Sequence, residues 1–230
     1  MGPGRLFVVA GPIGNLADLS PRAKETLSSV DLVLAEDTRV TGKLLAHFGF
    51  KCPMGTLNEH TSPAKIEGFC RQVAEGASIA LLSDAGTPTI SDPGTQLVDL
   101  CLELGLTVTP IPGPSAVATA LSASGFFAQR FAFLGFLPRK PGPAAKILEP
   151  FADSALTLVL FESPHRFEKT LALAGSVLGS RRYVVARELS KLNEQVYRNT
   201  LPALPAESDV PAKGEFTLVI EGCRKLASDG

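Results

Sequence analysis

SIALLSDAGTPTISDPG, residues 78–94, decides the fold. Ser78 to Leu82 is a short apolar, β-rich run, and it breaks at once into a loop dense in Gly, Pro, Asp, Ser and Thr. Just upstream, Ser62-Pro63 sets a capping residue before a proline at the first helical position. Ile66, Phe69, Cys70 and Val73 then follow the i, i+3, i+4, i+7 rule, and Gly76 stands where the helix would stop. Helix, buried strand, glycine-rich loop is the repeating unit of an α/β layer, and in open α/β sheets ligands sit beyond the carboxyl ends of the strands.

The same grammar extends outward from that stretch. Leu6–Ala10, Leu32–Ala35 and Thr107–Ile111 read as further strands, with mostly helical segments between them; Ser20-Pro21 marks another helix start and Gly105 another stop. The first half is therefore expected to be an α/β layer with a mainly parallel sheet. Pro110-Ile111-Pro112-Gly113-Pro114 is the densest proline cluster and lies near the midpoint, which predicts two domains, 1–112 and 113–230. Beyond it, Phe131–Gly135, Thr157–Phe161, Tyr183–Arg187, Gln195–Asn199 and Phe216–Ile220 read as strands and Ser115–Ser124 and Arg166–Leu178 as helices. The later strands leave no room for helices between them, so this half is expected to be α+β with a mixed or antiparallel sheet.

Composition excludes several classes. With 45% hydrophobic residues in 230, the chain buries one large core or two small ones and is not disordered. Twenty-two Lys and Arg against 23 Asp and Glu exclude a protein that coats nucleic acid through its net field. Cut before Ser115, the halves carry 8 basic against 12 acidic and 14 against 11 residues; Arg130 to Arg198 alone holds 11 against 6, a local positive region suited to phosphates. No apolar run reaches the roughly 20 residues of a membrane span. Met1–Arg5 leads directly into a strand with no signal-peptide pattern, so a cytoplasmic protein is expected. Cys52, Cys70, Cys101 and Cys223 lack metal or redox spacing, and neither a disulfide nor a zinc site is expected.

Familiar catalytic signatures fail one by one. Thr41-Gly42-Lys43-Leu44 lacks both the hydroxyl after lysine and the upstream glycine of a phosphate loop, Val117 replaces the closing glycine of a nucleophile elbow, and neither GxGxxG after the first strand nor HExxH occurs. What remains is GPIGN at 11–15, SDAGTPTISDPG at 83–94 and PGPS at 112–115, three loops each placed after a first-half strand. Glycine permits close approach of backbone to ligand, and three such loops at one sheet edge make a site.

These stretches together resemble a known family. VVAGPIGNLADLSPRA (8–23), DLVLAEDTRVTGKLL (31–45), LLSDAGTPTISDPG (81–94), PIPGPSA (110–116), FAFLGFLPRK (131–140), FESPHR (161–166), VARELSK (185–191) and KGEFTLVIEG (213–222) are similar to successive motifs of the bacterial 16S ribosomal RNA cytidine 2′-O-ribose methyltransferases, within the tetrapyrrole-methylase superfamily. The resemblance implies a two-domain class III fold with S-adenosylmethionine in a cleft between the domains, and a homodimer. It implies cofactor contacts from Pro12, Ile13, Gly14 and Asn15, from Asp84, Ala85, Gly86, Thr87 and Pro88, and from Pro112, Gly113, Pro114 and Ser115. Gly86-Thr87-Pro88 stands where tetrapyrrole methylases carry Gly-Asp-Pro, and Ala10-Gly11-Pro12 where Ala-Thr-Pro is commoner. The family pattern also continues into a helical extension past the last strand, which the 230 residues do not include.

A ribose hydroxyl needs a positioned base. Glu59, His60 and Asp37 are the candidates, with Arg39 holding a phosphate or orienting a carboxylate; for the RNA or assembled small subunit, Arg139, Lys140, His165, Arg166, Arg187 and Lys191 are the expected contacts. No metal is expected. The rival expectations are methylation of a tetrapyrrole carbon and a non-catalytic RNA-binding module on the same fold.

Overall fold

Strand β4 (Ser78–Leu82) lies at the centre of a five-stranded sheet. Its neighbours are β1 (Arg5–Val9), with Leu6 opposite Ile79, and β2 (Leu32–Ala35), with Leu34 opposite Leu81. Outside them lie β5 (Thr107–Ile111) and β3 (Met54–Thr56), giving the order β3-β2-β4-β1-β5 with every pair parallel. Side chains alternate along the central strands, so each apolar run feeds two cores. Leu6, Leu34, Ile79 and Leu81 meet Ile66, Phe69, Cys70 and Val73 of α3 (Pro63–Ala74) and Leu97 and Cys101 of α4 (Thr95–Glu103). Val9, Val33, Ala80 and Leu82 meet Leu19, Ala23 and Leu27, the last two on α1 (Pro21–Ser29), and Leu44 and Leu45 of α2 (Thr38–His47). Each buried Leu or Ile contributes about 1.5–3 kcal/mol of transfer free energy.

The computed structural model describes residues 4–224. The chain divides into two compact units, Met1–Ser115, just outlined, and Ala116–Gly230. In the second, β6 (Phe131–Phe136), β7 (Thr157–Glu162), β8 (Arg182–Arg187), β9 (Gln195–Thr200) and β10 (Phe216–Ile220) form a sheet in the order β6-β7-β10-β8-β9. Only β6 and β7 pair in parallel; the other three pairs are antiparallel, which makes the sheet mixed. Leu158, Leu160, Tyr183, Val185, Leu218 and Ile220 pack against Phe167, Leu171, Ala174 and Leu178 of α7 (Phe167–Leu178) and against Ala144 and Leu148 of α6 (Pro141–Leu148). Helix α5 (Ala116–Ser124) packs on β10 and its neighbours.

Helix starts follow the sequence signals with one exception. The Ser20 hydroxyl accepts the Ala23 amide at 3.1 Å, whereas Ser62 makes no side-chain capping bond although Pro63 still opens α3. Among the strands and α-helices two were not expected: the short edge strand β3 and helix α6, whose PGPAAKIL sequence begins with turn-forming residues. Among the described residues no helix is long and apolar enough to cross a membrane.

Candidate active site

Because all five strands of the first unit run parallel, every strand delivers its next loop to the same edge of the sheet. Residues 10–15 follow β1, Glu36 and Asp37 follow β2, Asn58–His60 follow β3, residues 83–94 follow β4 and Pro112–Ser115 follow β5. Backbone and side-chain bonds tie these loops together. Gly11 N–H donates to the Gly86 carbonyl at 2.8 Å and Gly86 N–H to the Pro12 carbonyl at 3.3 Å. The Thr87 hydroxyl donates to the Pro114 carbonyl at 3.1 Å, and Asp37 N–H donates to Asp84 Oδ1 at 3.1 Å. Of the residues expected to touch a cofactor, those on the first, fourth and fifth loops are thus brought together.

Glycine is required at the centre of this arrangement. Gly86 has φ +76°, and a Cβ there would come within 3.2 Å of Ile13 Cγ2. The same loop holds Thr89 and Ser91 at φ 71° and 63°, conformations that cost a non-glycine residue roughly 1–3 kcal/mol and persist where the surroundings over-determine them, commonly at ligand sites.

The electrostatics of this edge are unbalanced. Burial raises the Glu36 carboxyl above its ordinary value, and repulsion from Asp84, Asp92 and Glu59 adds to the rise although a bond to the Asp84 backbone opposes it. Asp84 is raised chiefly by burial, with Asp37 adding, against the Asp37 amide and Arg39. Asp92 is raised by burial and by Asp84, against a bond from the Ser83 hydroxyl. Asp37 behaves oppositely. Its carboxylate caps α2 by accepting Arg39 N–H at 2.8 Å and holds the Arg39 side chain at 2.6 Å, bonds that lower it to about 2. Such a carboxylate is a poor proton acceptor and Arg39 is already paired. Glu59 and His60 are exposed on the turn after β3, where Asn58 Oδ1 accepts the His60 amide at 3.0 Å. Glu36 and Asp92 were not among the residues singled out from sequence; Glu36 opens the EDTR stretch and Asp92 is the second aspartate of the long loop, but what marks them is burial beside other carboxylates, which spacing does not reveal.

The basic residues expected to hold RNA belong to the second unit, at the carboxyl ends of β6, β7 and β8. Arg139, Lys140 and His165 are exposed. Arg166 turns inward: its Nη2 donates to the Leu137 and Pro138 carbonyls at 2.9 and 3.2 Å and lies 3.3 Å from the fully buried Glu162 carboxylate. Arg187 is only 8% exposed and spends its guanidinium on the carbonyls of Lys213 (2.6 Å) and Asn193 (3.2 Å). Lys191 bridges Glu188 and Glu215, each at 3.0 Å.

With this geometry in view, comparison with known proteins is informative. The family model for Tetrapyrrole (Corrin/Porphyrin) Methylases matches residues 5–205. A protein of Synechocystis sp. named ribosomal RNA small subunit methyltransferase I is 47% identical over 221 residues, covering 95% of this chain and 79% of its own length. One of the same name from Escherichia coli O157:H7 is 45% identical over 230 residues, covering 98% and 80%. Among solved structures, uroporphyrin-III-C-methyltransferase from Thermus thermophilus aligns with a TM-score of 0.65 at 21% identity over 95% of this chain and 94% of its own. Diphthine synthase aligns with a TM-score of 0.69 at 14% identity over 95% and 90%; these two likenesses speak to the fold alone. The chain belongs to the tetrapyrrole methylase family of methyltransferases, alongside the proteins named ribosomal RNA small subunit methyltransferase I.

Proposed function

We propose that this protein transfers a methyl group from S-adenosylmethionine to the 2′-oxygen of a cytidine ribose in 16S ribosomal RNA of the small subunit, acting as a cytoplasmic homodimer. The observation that carries the reading is the 45–47% identity, over nearly the whole chain, to methyltransferases named for small-subunit ribosomal RNA. The donor set at the strand edge suits the cofactor. Partly buried carboxylates that repel one another, on Glu36, Asp84 and Asp92, favour a ligand carrying positive charge, and the close-packed glycine loops at 11–15, 84–88 and 112–115 admit one against the backbone. Those loops would hold the cofactor. When bound, it supplies a methyl group already activated on a sulfonium.

The remaining work falls to the protein: aligning the ribose oxygen with that methyl, excluding water and accepting the hydroxyl proton. We assign the base to Glu59 or His60, since Asp37 is committed to Arg39 and to its helix. Replacing the true base, by Glu59→Gln or His60→Ala, is expected to lower kcat by about 10²–10⁴ with cofactor affinity unchanged, and Asp37→Asn to change kcat little. Arg139, Lys140 and His165 are assigned to the RNA; Arg166, Arg187 and Lys191 serve the fold.

The reading is tested by incubating the protein with S-adenosylmethionine and small ribosomal subunits from a strain lacking the endogenous modification, then digesting the RNA to nucleosides for mass spectrometry. One 2′-O-methylcytidine is expected. Methyl on a base, or none from a protein that binds the cofactor, would overturn it.

A further inference from the structure

The second unit has a pocket of about 460 Å³ beside α6 and α7, within the roughly 300–1,000 Å³ range of small-ligand sites. Its lining combines apolar Pro138, Ala144, Ala172 and Leu173 with the hydroxyls of Thr170 and Ser176 and the cations Arg139, Arg166 and Lys169; no acidic residue lines it. Glu168, the neighbour of Lys169 on α7, is outside the lining. Several basic residues of this unit are spoken for. Arg181 holds backbone carbonyls, Arg182 pairs with Glu221, Arg187 is buried and Lys191 bridges two glutamates. Arg166 neutralises the buried Glu162, and by holding the Leu137 and Pro138 carbonyls it fixes the turn that presents Arg139. Arg139 and Lys169, by contrast, are exposed and have no ion-pair partner among the described residues.

We infer that this pocket is a subsite for an unstacked, phosphate-bearing nucleotide of single-stranded RNA, an inference that rests on the RNA reading above. Enzyme pockets that take an unstacked base hold it between aromatic or apolar side chains while Lys and Arg hold the backbone, and apolar and cationic side chains are adjacent here. Arg139 and Lys169 bind the phosphates. Ala172 and Leu173 carry the base, and Arg166 positions the turn.

The test uses two variants of the full chain, with circular dichroism and S-adenosylmethionine affinity as controls for folding. Arg139→Ala/Lys169→Ala removes the pocket's two unpaired cations and leaves Arg166 on Glu162; Ala172→Leu narrows the pocket without altering charge. Binding of a fluorescent single-stranded oligoribonucleotide is followed over a salt series, and KM is measured on unmodified small subunits. The double variant is expected to weaken binding roughly tenfold and to flatten the log–log salt slope by about 1.4, the share of two single-strand phosphates. Ala172→Leu is expected to weaken binding with the slope unchanged. Wild-type oligonucleotide binding and KM in both variants, from a protein that does methylate small subunits, would overturn the subsite and leave the function standing. Oligonucleotide binding unchanged with affinity lost only for assembled subunits would overturn it in favour of a ribosomal protein contact. Failure of the wild-type protein itself to bind RNA or methylate subunits would instead remove the function on which the inference rests.

Discussion

The two units of this protein treat charge in opposite ways. In the first, a wholly parallel sheet sends five loops to one edge, and burial together with neighbouring carboxylates holds Glu36, Asp84 and Asp92 there above their ordinary pKa. In the second, the charges buried around a mixed sheet are satisfied internally, and the unpaired cations Arg139 and Lys169 lie exposed. Burial pushes Glu221 up, but Arg182 and Arg224 outweigh it and hold the carboxyl below its ordinary value; burial acts likewise on Glu188 and is outweighed by the Glu215 amide and Lys191. An unbalanced edge awaits a ligand, whereas a balanced one is already structure. Position in a sheet therefore says more about function than a count of charged residues does.

The largest expected effect tests the structural half of that contrast. Arg187→Ala leaves two carbonyls without their buried donor and should destabilise the second unit by about 3 kcal/mol. The protein has no Trp, and its two Tyr, Tyr183 and Tyr197, both lie in the second unit, so tyrosine emission during urea unfolding reports that unit directly. An unshifted transition combined with weaker RNA binding would make Arg187 a phosphate ligand after all. Next comes Gly86→Val, which forces a β-branched residue to φ +76° against Ile13; roughly 1–3 kcal/mol of strain should abolish S-adenosylmethionine binding in calorimetry while the tyrosine transition stays in place. Retained affinity would remove the fourth loop from the site. Within the first unit, Ser20→Ala should cost about 1 kcal/mol by losing its capping bond, and Ser62→Ala clearly less, as judged by the far-ultraviolet transition.

Smallest is the pH dependence of stability, and its sign differs between the units. Glu188 and Glu221 have depressed pKa values, so the stability they give the second unit is present above the unfolded value near 4.5 and is lost as pH falls through the folded values. Glu36, Asp84 and Asp92 are raised, so the folded first unit binds more protons and loses stability as pH climbs from the unfolded values of 4.5 and 3.8 through the folded ones. Tyrosine emission should follow the first trend and cofactor-free far-ultraviolet unfolding should carry the second; trends of the same sign would break the contrast.

Much of this was legible in the sequence for identifiable reasons. Strands buried on both faces, such as Ser78–Leu82, are continuous apolar runs, and the loops after them declare themselves by glycine and proline. Strand β3 escaped because three residues flanked by Pro53 and interrupted by Gly55 show no period, and α6 because its proline and glycine read as a turn although Pro141 occupies the first helical position. The limits at the site are of another kind. Sequence places Glu36 and Asp92 near strand ends but says nothing of the burial and repulsion that raise them. Nor does a tally of basic residues distinguish Arg139, exposed at a pocket, from Arg187, sealed among carbonyls. Local pattern fixes elements; burial, a property of the whole fold, decides what their charges do.

The most direct measurement is calorimetric titration of S-adenosylmethionine from neutral pH down into the carboxylate range, in buffers of different ionisation enthalpy. If the raised carboxylates of the first unit are the cofactor's counter-charge, binding will release protons and affinity will fall as the pH drops and Glu36, Asp84 and Asp92 take up protons. Affinity independent of pH, with no proton release, would contradict the account.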